Sequence, residues 1–401
     1  MIYQFLLNFV DTFGFLNVFR YITFRTGLSF FTSLVIVLII GFNVNAAPIP
    51  KAPNPDVKSY ILIDYDSGMV IAEKNADLIL PPASITKIMT SYIIFTELQN
   101  ETLAKSDYVL VSKKAWKTGG SKMFIEVGKK VKVSDLLQGI ITSSGNDASV
   151  AMAEHISGDE ETFSIYMNQL AENLGMVNTS YANSTGLPND DLFTTARDIS
   201  LLARSLIKKF PDEYKLYSKK EYVYNEIKQY SRNKLLYLDD TVDGMKTGYT
   251  KKAGYCLVSS ALRGKKRLIS VVLGAKSPEH RTNASKSLLE YGFRFFETHK
   301  LYEQNKIVTE GNIFGGSQQK IKLGVLDDEY ISIPRRQIKN IKTKYVIDQN
   351  LTAPVQKGES IGYAVIQLQG KNITTIKLYA MESVDEGSFY RKTLDSILRK
   401  F

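Results

Sequence analysis

The stretch 84–99, SITKIMTSYIIFTELQ, constrains the fold more than any other part of the chain. Its apolar residues run nearly without a break, so a helix formed here must be covered on all sides and cannot lie on a surface. Pro81 and Pro82 announce its start, because proline suits the first turn of a helix and not its interior. Such a helix requires a domain built around it, and 401 residues leave room for two or three domains.

The flanking segments say what surrounds it. Residues 59–74 (SYILIDYDSGMVIAEK) hold two β-branched and aromatic runs about a turn at Asp66, Ser67 and Gly68, the chemistry of a hairpin. Segments 135–157, 162–174 and 196–208 read as helices, and 254–262 and 267–274 as strands around a basic turn at 263–266. A helix over 284–296 closes the region. A hairpin, then helices, then returning strands predicts an α/β domain with one antiparallel sheet drawn from both chain ends and helices packed around it. Short apolar runs at 320–325, 330–333, 345–347, 360–368 and 373–380 predict a small all-β domain after it.

The ends differ in character. Residues 28–42 (LSFFTSLVIVLIIGF) follow Arg20 and Arg25 and precede Ala46 and Ala47, the layout of a secretory signal, with a retained membrane anchor as the other reading. Either way the body is exported. The final segment, 389–401 (FYRKTLDSILRKF), places Phe389, Tyr390, Leu394, Ile397, Leu398 and Phe401 at helical spacing among basic residues. It reads as an amphipathic helix, lying on a membrane surface or docked on its own domain. The expected organisation is an N-terminal extension and signal over 1–47, a proline-rich linker over 48–58, a catalytic domain over 59–300, a small β-sandwich domain over 301–386 and the C-terminal helix over 387–401.

The formal charge is +10; Asp11, Arg20 and Arg25 contribute +1 of it before residue 48, leaving +9 on the body. Without zinc-finger spacing or a basic recognition helix, this balance favours anionic envelope material over nucleic acid. The one cysteine, Cys256, excludes an intrachain disulfide and sits in an apolar run expected to be core. The three histidines, His155, His280 and His299, have neither metal-ligand spacing nor partners for a Ser-His-Asp triad, so no metal or other cofactor is expected.

Chemistry concentrates at Ser84 and Lys87. Ser-x-x-Lys also occurs at Ser205/Lys208, Ser231/Lys234 and Ser317/Lys320, but only Ser84 follows a Pro-Pro-Ala lead-in at the head of a long apolar helix. There the lysine lies one turn on, over the same face. A serine hydroxyl needs a base, and lysine serves only when burial and nearby positive charge lower its pKa. Lys246, in Lys246-Thr247-Gly248, can supply that charge, while Ser144-Gly145-Asn146 adds a hydroxyl to relay protons and an amide to hold substrate. Lys117-Thr118-Gly119 and Ser231-Arg232-Asn233 mimic these triplets, but the first lies in a Gly-rich polar stretch, whereas Lys246 directly precedes the strands at whose edge an extended peptide can bind.

Taken in this order, the three motifs resemble those of the penicillin-binding protein and serine β-lactamase superfamily. Residues 83–91 (ASITKIMTS), 242–250 (VDGMKTGYT) and the β domain further resemble low-molecular-mass D-alanyl-D-alanine carboxypeptidases, over about residues 59–395. The resemblance implies a penicillin-binding/β-lactamase-like domain that removes the terminal D-alanine from peptidoglycan pentapeptides through an acyl-Ser84 intermediate. β-Lactam antibiotics would acylate the same serine, and the C-terminal helix would attach the enzyme to the periplasmic face of the bacterial cytoplasmic membrane. It implies Lys87 as base, Ser144 and Lys246 as proton relay, Asn146 and Thr247 as substrate contacts, Gly248 within the substrate-binding strand and the amides of Ser84 and Tyr249 as oxyanion hole. Arg281 would receive the substrate carboxylate. Relatives often carry histidine where Tyr249 stands, which bears on substrate preference. A DD-endopeptidase of the same family, a serine β-lactamase using Glu161 or Glu172 as second base, and a non-catalytic peptidoglycan-binding protein are the alternatives.

Overall fold

The computed structural model describes residues 50–391. The extension and signal expected over 1–47, and residues 392–401 of the expected C-terminal helix, lie outside the described residues.

The hairpin forms from β1 (Ser59–Asp64) and β2 (Val70–Lys74). Helices α1 (Lys87–Gln99), α2 (Asn146–Ser157), α3 (Glu160–Asn173) and α4 (Ala196–Lys209) follow. The chain then returns as β3 (Val242–Thr250), β4 (Gly254–Arg263) and β5 (Lys266–Ala275) and closes with α5 (Pro278–Phe295). The sheet order is β2-β1-β5-β4-β3, antiparallel throughout, with Ser59 opposite Leu273. Every residue of β1 is buried. Its side chains alternate between two cores, as a period of two dictates: Ile61 and Ile63 face the core shared with α1 and α4, while Tyr60 and Leu62 join Leu288 and Leu289 of α5.

From Lys87 to Thr96, α1 is buried without interruption, as its continuous apolar run requires. Phe95 and Tyr92 pack their rings on Phe210 at 5.6 and 5.0 Å. Three local departures from the sequence reading have physical causes. The helix expected from Ser84 opens with a 3₁₀ turn, Ala83–Thr86, and becomes α-helical only at Lys87. The helix expected over 135–157 is interrupted: Val133–Gln138 runs into a π turn at Gly139–Ser143, Ser144 adopts a left-handed φ of 61°, and α2 begins afresh at Asn146. There the Asn146 amide donates to the Ser121 carbonyl at 2.7 Å instead of continuing the helical ladder. Finally, α5 starts six residues earlier than expected, at Pro278, because the Ser277 hydroxyl caps the His280 amide at 3.1 Å; the polar first turns carry no apolar periodicity to announce them.

A strand, β6 (Phe296–Tyr302), begins where α5 ends, and pairs with β9 (Glu329–Pro334). The other strands, β7 (Ile307–Asn312), β8 (Lys320–Gly324), β10 (Ile341–Ile347), β11 (Ser360–Leu368) and β12 (Lys371–Ala380), form a sheet ordered β7-β8-β12-β11-β10 around a core including Ile321, Leu323, Ile331, Ile366 and Leu378. Residues 389–391 are helical, with Phe389 and Tyr390 exposed. Among the described residues no helix is long and apolar enough to cross a membrane.

Candidate active site

Ser84 stands in the 3₁₀ turn that feeds α1. The turn is pressed against Gly186, whose φ is +83° and where any Cβ would collide with the Ala83 carbonyl, so only glycine permits this approach. Lys87, 1% exposed, opens α1, and its three N–H groups all have acceptors: Ser84 Oγ at 3.2 Å, Asn146 Oδ1 at 2.6 Å and the Thr185 carbonyl at 2.5 Å. Asn146 in turn donates from Nδ2 to the Gly119 carbonyl at 2.7 Å.

The break before α2 presents the Ser144 hydroxyl to β3, where it accepts from Lys246 Nζ at 2.9 Å. β3 is the edge strand of the sheet on this side. It lies directly on the serine turn, since a side chain on Gly248 would come within 3.1 Å of the Pro82 carbonyl oxygen. Thr247 is buried, and Tyr249 is 54% exposed and stacks on Tyr255 with ring centroids 4.3 Å apart. Arg281, 7% exposed, is no solvated surface arginine: its NH1 donates to the carbonyls of Gly248 at 3.1 Å and Cys256 at 3.3 Å.

Burial is the chief cause that brings the Lys87 ammonium down to about 7, and the positive charge of Arg232 pushes the same way. Lys246 is also held well below the ordinary lysine range, first by burial and then by the charges of Lys87, Arg232 and Arg281. The site therefore holds, hydrogen-bonded to a serine hydroxyl, a lysine that can gain or lose its proton near neutral pH.

Ser84, Ser144, Asn146, Thr247, Gly248, Tyr249 and Arg281 line one cleft of about 700 Å³, with Lys87 and Lys246 hydrogen-bonded to its serines. Its other walls come from residues the sequence offers little reason to choose. Gly120 and Ser121 extend from the Lys117-Thr118-Gly119 stretch, and Ser231 and Arg232 belong to the other mimic triplet; Arg232 NH1 donates to Ser121 Oγ at 2.7 Å. Thr185 and Gly186 act through their backbone, which leaves no side-chain signature; the only hint is the Gly-Leu-Pro turn itself. Asn183 builds that turn, its Oδ1 accepting from the Gly186 amide at 2.8 Å and the Thr185 hydroxyl at 2.9 Å. Glu161 and Glu172 are exposed and do not line the cleft. Among the described residues no group of three His, Cys, Asp or Glu side chains is placed to hold a metal ion.

A serine turn, a lysine one turn on and a basic edge strand across a cleft, on an antiparallel sheet wrapped in helices, define a penicillin-binding-type domain of mixed α/β architecture, here with an all-β domain after it. Residues 46–277 match the family model described as D-alanyl-D-alanine carboxypeptidase, and residues 296–386 the penicillin-binding protein 5 C-terminal domain. The D-alanyl-D-alanine carboxypeptidase DacC of Escherichia coli (strain K12) is 44% identical over 88% of this chain and 90% of its own length. The crystal structure of penicillin binding protein 5 from Haemophilus influenzae superposes with a TM-score of 0.81 at 40% identity, covering 84% of this chain and all of that one. Penicillin-binding protein D2 from Listeria monocytogenes, solved in an ampicillin-bound form, matches 61% of this chain and all of its own with a TM-score of 0.56 at 30% identity. The chain belongs to the D-alanyl-D-alanine carboxypeptidase family and is a serine-type hydrolase.

Proposed function

We propose that this enzyme removes the terminal D-alanine from peptidoglycan pentapeptides through an ester on Ser84, and that β-lactams acylate the same oxygen. The observation that carries the reading is the 3.2 Å hydrogen bond between Lys87 Nζ and Ser84 Oγ, with the lysine lowered to about 7. In its neutral form Lys87 takes the hydroxyl proton as Ser84 Oγ attacks the carbonyl carbon of the penultimate D-alanine. The backbone amides of Ser84 and Tyr249 face the developing oxyanion. The C–N bond then breaks, and the proton taken up by Lys87 passes to the leaving amine by way of the Ser144 hydroxyl, which Lys246 holds in place, so that Lys87 is a neutral base again. Water, activated by the same lysine, hydrolyses the ester and restores Ser84. Asn146 and Thr247 hold the peptide, β3 pairs with its backbone, and Arg281 receives the terminal carboxylate, for which a planar guanidinium is suited.

In this reading the catalytic domain spans 59–300 and the β-sandwich domain 301–386, preceded by a signal over 1–47 and a linker over 48–58. The protein works on the periplasmic face of the cytoplasmic membrane, to which an amphipathic helix over 387–401 attaches it. The exposure of Phe389 and Tyr390 supports that attachment. Deleting 389–401 from the signal-processed protein should move it to the soluble fraction; unchanged retention argues against the helix as anchor.

The test is to incubate the purified protein with a fluorescent penicillin and, separately, with a peptide ending in D-Ala-D-Ala. Stable label at Ser84 with release of D-alanine is the expected result, and Ser84→Ala should abolish both. Rapid loss of label would point to a β-lactamase, and label on Ser84→Ala would remove Ser84 as the nucleophile.

A further inference from the structure

Three residues at the carboxylate end of the cleft are joined in a way their spacing in sequence does not announce. Tyr249 lies flat on Tyr255, centroids 4.3 Å apart and ring planes 28° from parallel. The Arg281 guanidinium lies over the ring of the same Tyr255, 5.6 Å from its centroid. Both tyrosines and Arg281 line the cleft. Both side-chain hydrogen bonds of Arg281 leave from NH1 and end on carbonyls of β3 and β4, at Gly248 and Cys256. One nitrogen of the guanidinium is therefore fixed to backbone on two strands. The Tyr255 ring adds a side-chain contact to these backbone bonds, lying against the guanidinium within the cleft.

We propose that Tyr255 is a positioning residue for Arg281 and that, with Tyr249 stacked upon it, it sets the preference of the site for substrates with a free C-terminal carboxylate. The proposal rests on the carboxypeptidase reading above. The two NH1 bonds anchor one side of the guanidinium, and the Tyr255 ring attracts the cation through its quadrupole and supports the fork where it faces the cleft. Bidentate recognition of a carboxylate depends on the plane of the fork, so its loss falls on binding of the charged end and not on the Ser84–Lys87 chemistry.

The test compares two peptides, one ending in D-Ala-D-Ala as the free acid and the other as the carboxamide, on the intact enzyme and on Tyr255→Leu and Tyr255→Phe. Tyr255→Leu should raise KM for the acid about tenfold with kcat nearly unchanged, and lower the acid-over-amide ratio of kcat/KM by the same factor. Tyr255→Phe keeps the ring face and should behave as the parent. An unchanged ratio in Tyr255→Leu overturns the proposal. So does an equal fall on both peptides, which marks a merely structural role, or a Phe variant that fails like Leu. If the parent enzyme itself shows no preference for the acid, the carboxypeptidase reading falls and this inference with it.

Discussion

Asn146 joins Lys87 to the opposite wall of the cleft, accepting from its Nζ at 2.6 Å and donating to the Gly119 carbonyl at 2.7 Å. The residue is buried at the first position of α2, so its side chain is aimed by the start of a helix and not by a mobile loop. Asn146→Ala leaves a buried amine and a carbonyl each short of a partner. We expect acylation by penicillin to slow by about tenfold to a hundredfold, the cost of losing hydrogen bonds to a group that carries charge. Stopped-flow acylation kinetics check this, with a far-ultraviolet spectrum to confirm the fold.

The pH dependence follows from Lys87. A base must be neutral to accept a proton, and this lysine reaches half-neutral at about pH 7. Acylation should therefore rise with pH through about 7 and level off above, because deprotonation supplies the active form. Arg232 carries a positive charge that disfavours protonation of Lys87, so Arg232→Ala should move the inflection upward. A profile of kcat/KM against pH for both proteins reads the shift directly.

Gly186→Ala tests the contact beneath the nucleophile. Its positive φ and the encounter of a Cβ with the Ala83 carbonyl both oppose the substitution. The variant should lose about 2 kcal/mol or more of stability, seen as a lower Tm. Acylation should fall as well, because the Thr185 carbonyl that accepts from Lys87 moves with the turn.

Phe95→Ala addresses the buried helix. Phe95 is 0% exposed and packs on Phe210. Truncation should cost about 3–5 kcal/mol, the usual range for an aromatic removed from a core. Denaturant melts measure it, and the midpoint should fall with little change in slope.

Much of this organisation is readable from residues alone because the informative signals are local. The unbroken apolar run behind Ser84 foretells a helix covered on all sides, and α1 is buried from Lys87 to Thr96. The hairpin turn at Asp66–Gly68 and the returning strands are equally local. What escapes is what depends on distant neighbours. The interruption at Ser144 hides because both sides of it have helical periodicity, while the partners that stabilise the break, such as the Ser121 carbonyl for the Asn146 amide, are distant in sequence. Thr185 contributes a carbonyl, which every residue has, so no side-chain type marks it. Arg232 sits in a triplet that reads as a chance copy, yet its guanidinium bridges to Ser121 on the cleft wall.

The pairing of Ser59 with Leu273 has a consequence for how the chain reaches its native state. The first strand of the central sheet cannot find its inner neighbour until nearly the whole catalytic region has been made, since β5 is the last of its strands in sequence. Contacts so far apart along the chain close slowly, because loop entropy must be lost before the pairing returns any stability. A nascent chain of this design stays unlocked until late: the hairpin of β1 and β2 can form early, but the central pairing waits for the strands that return at the far end of the catalytic region.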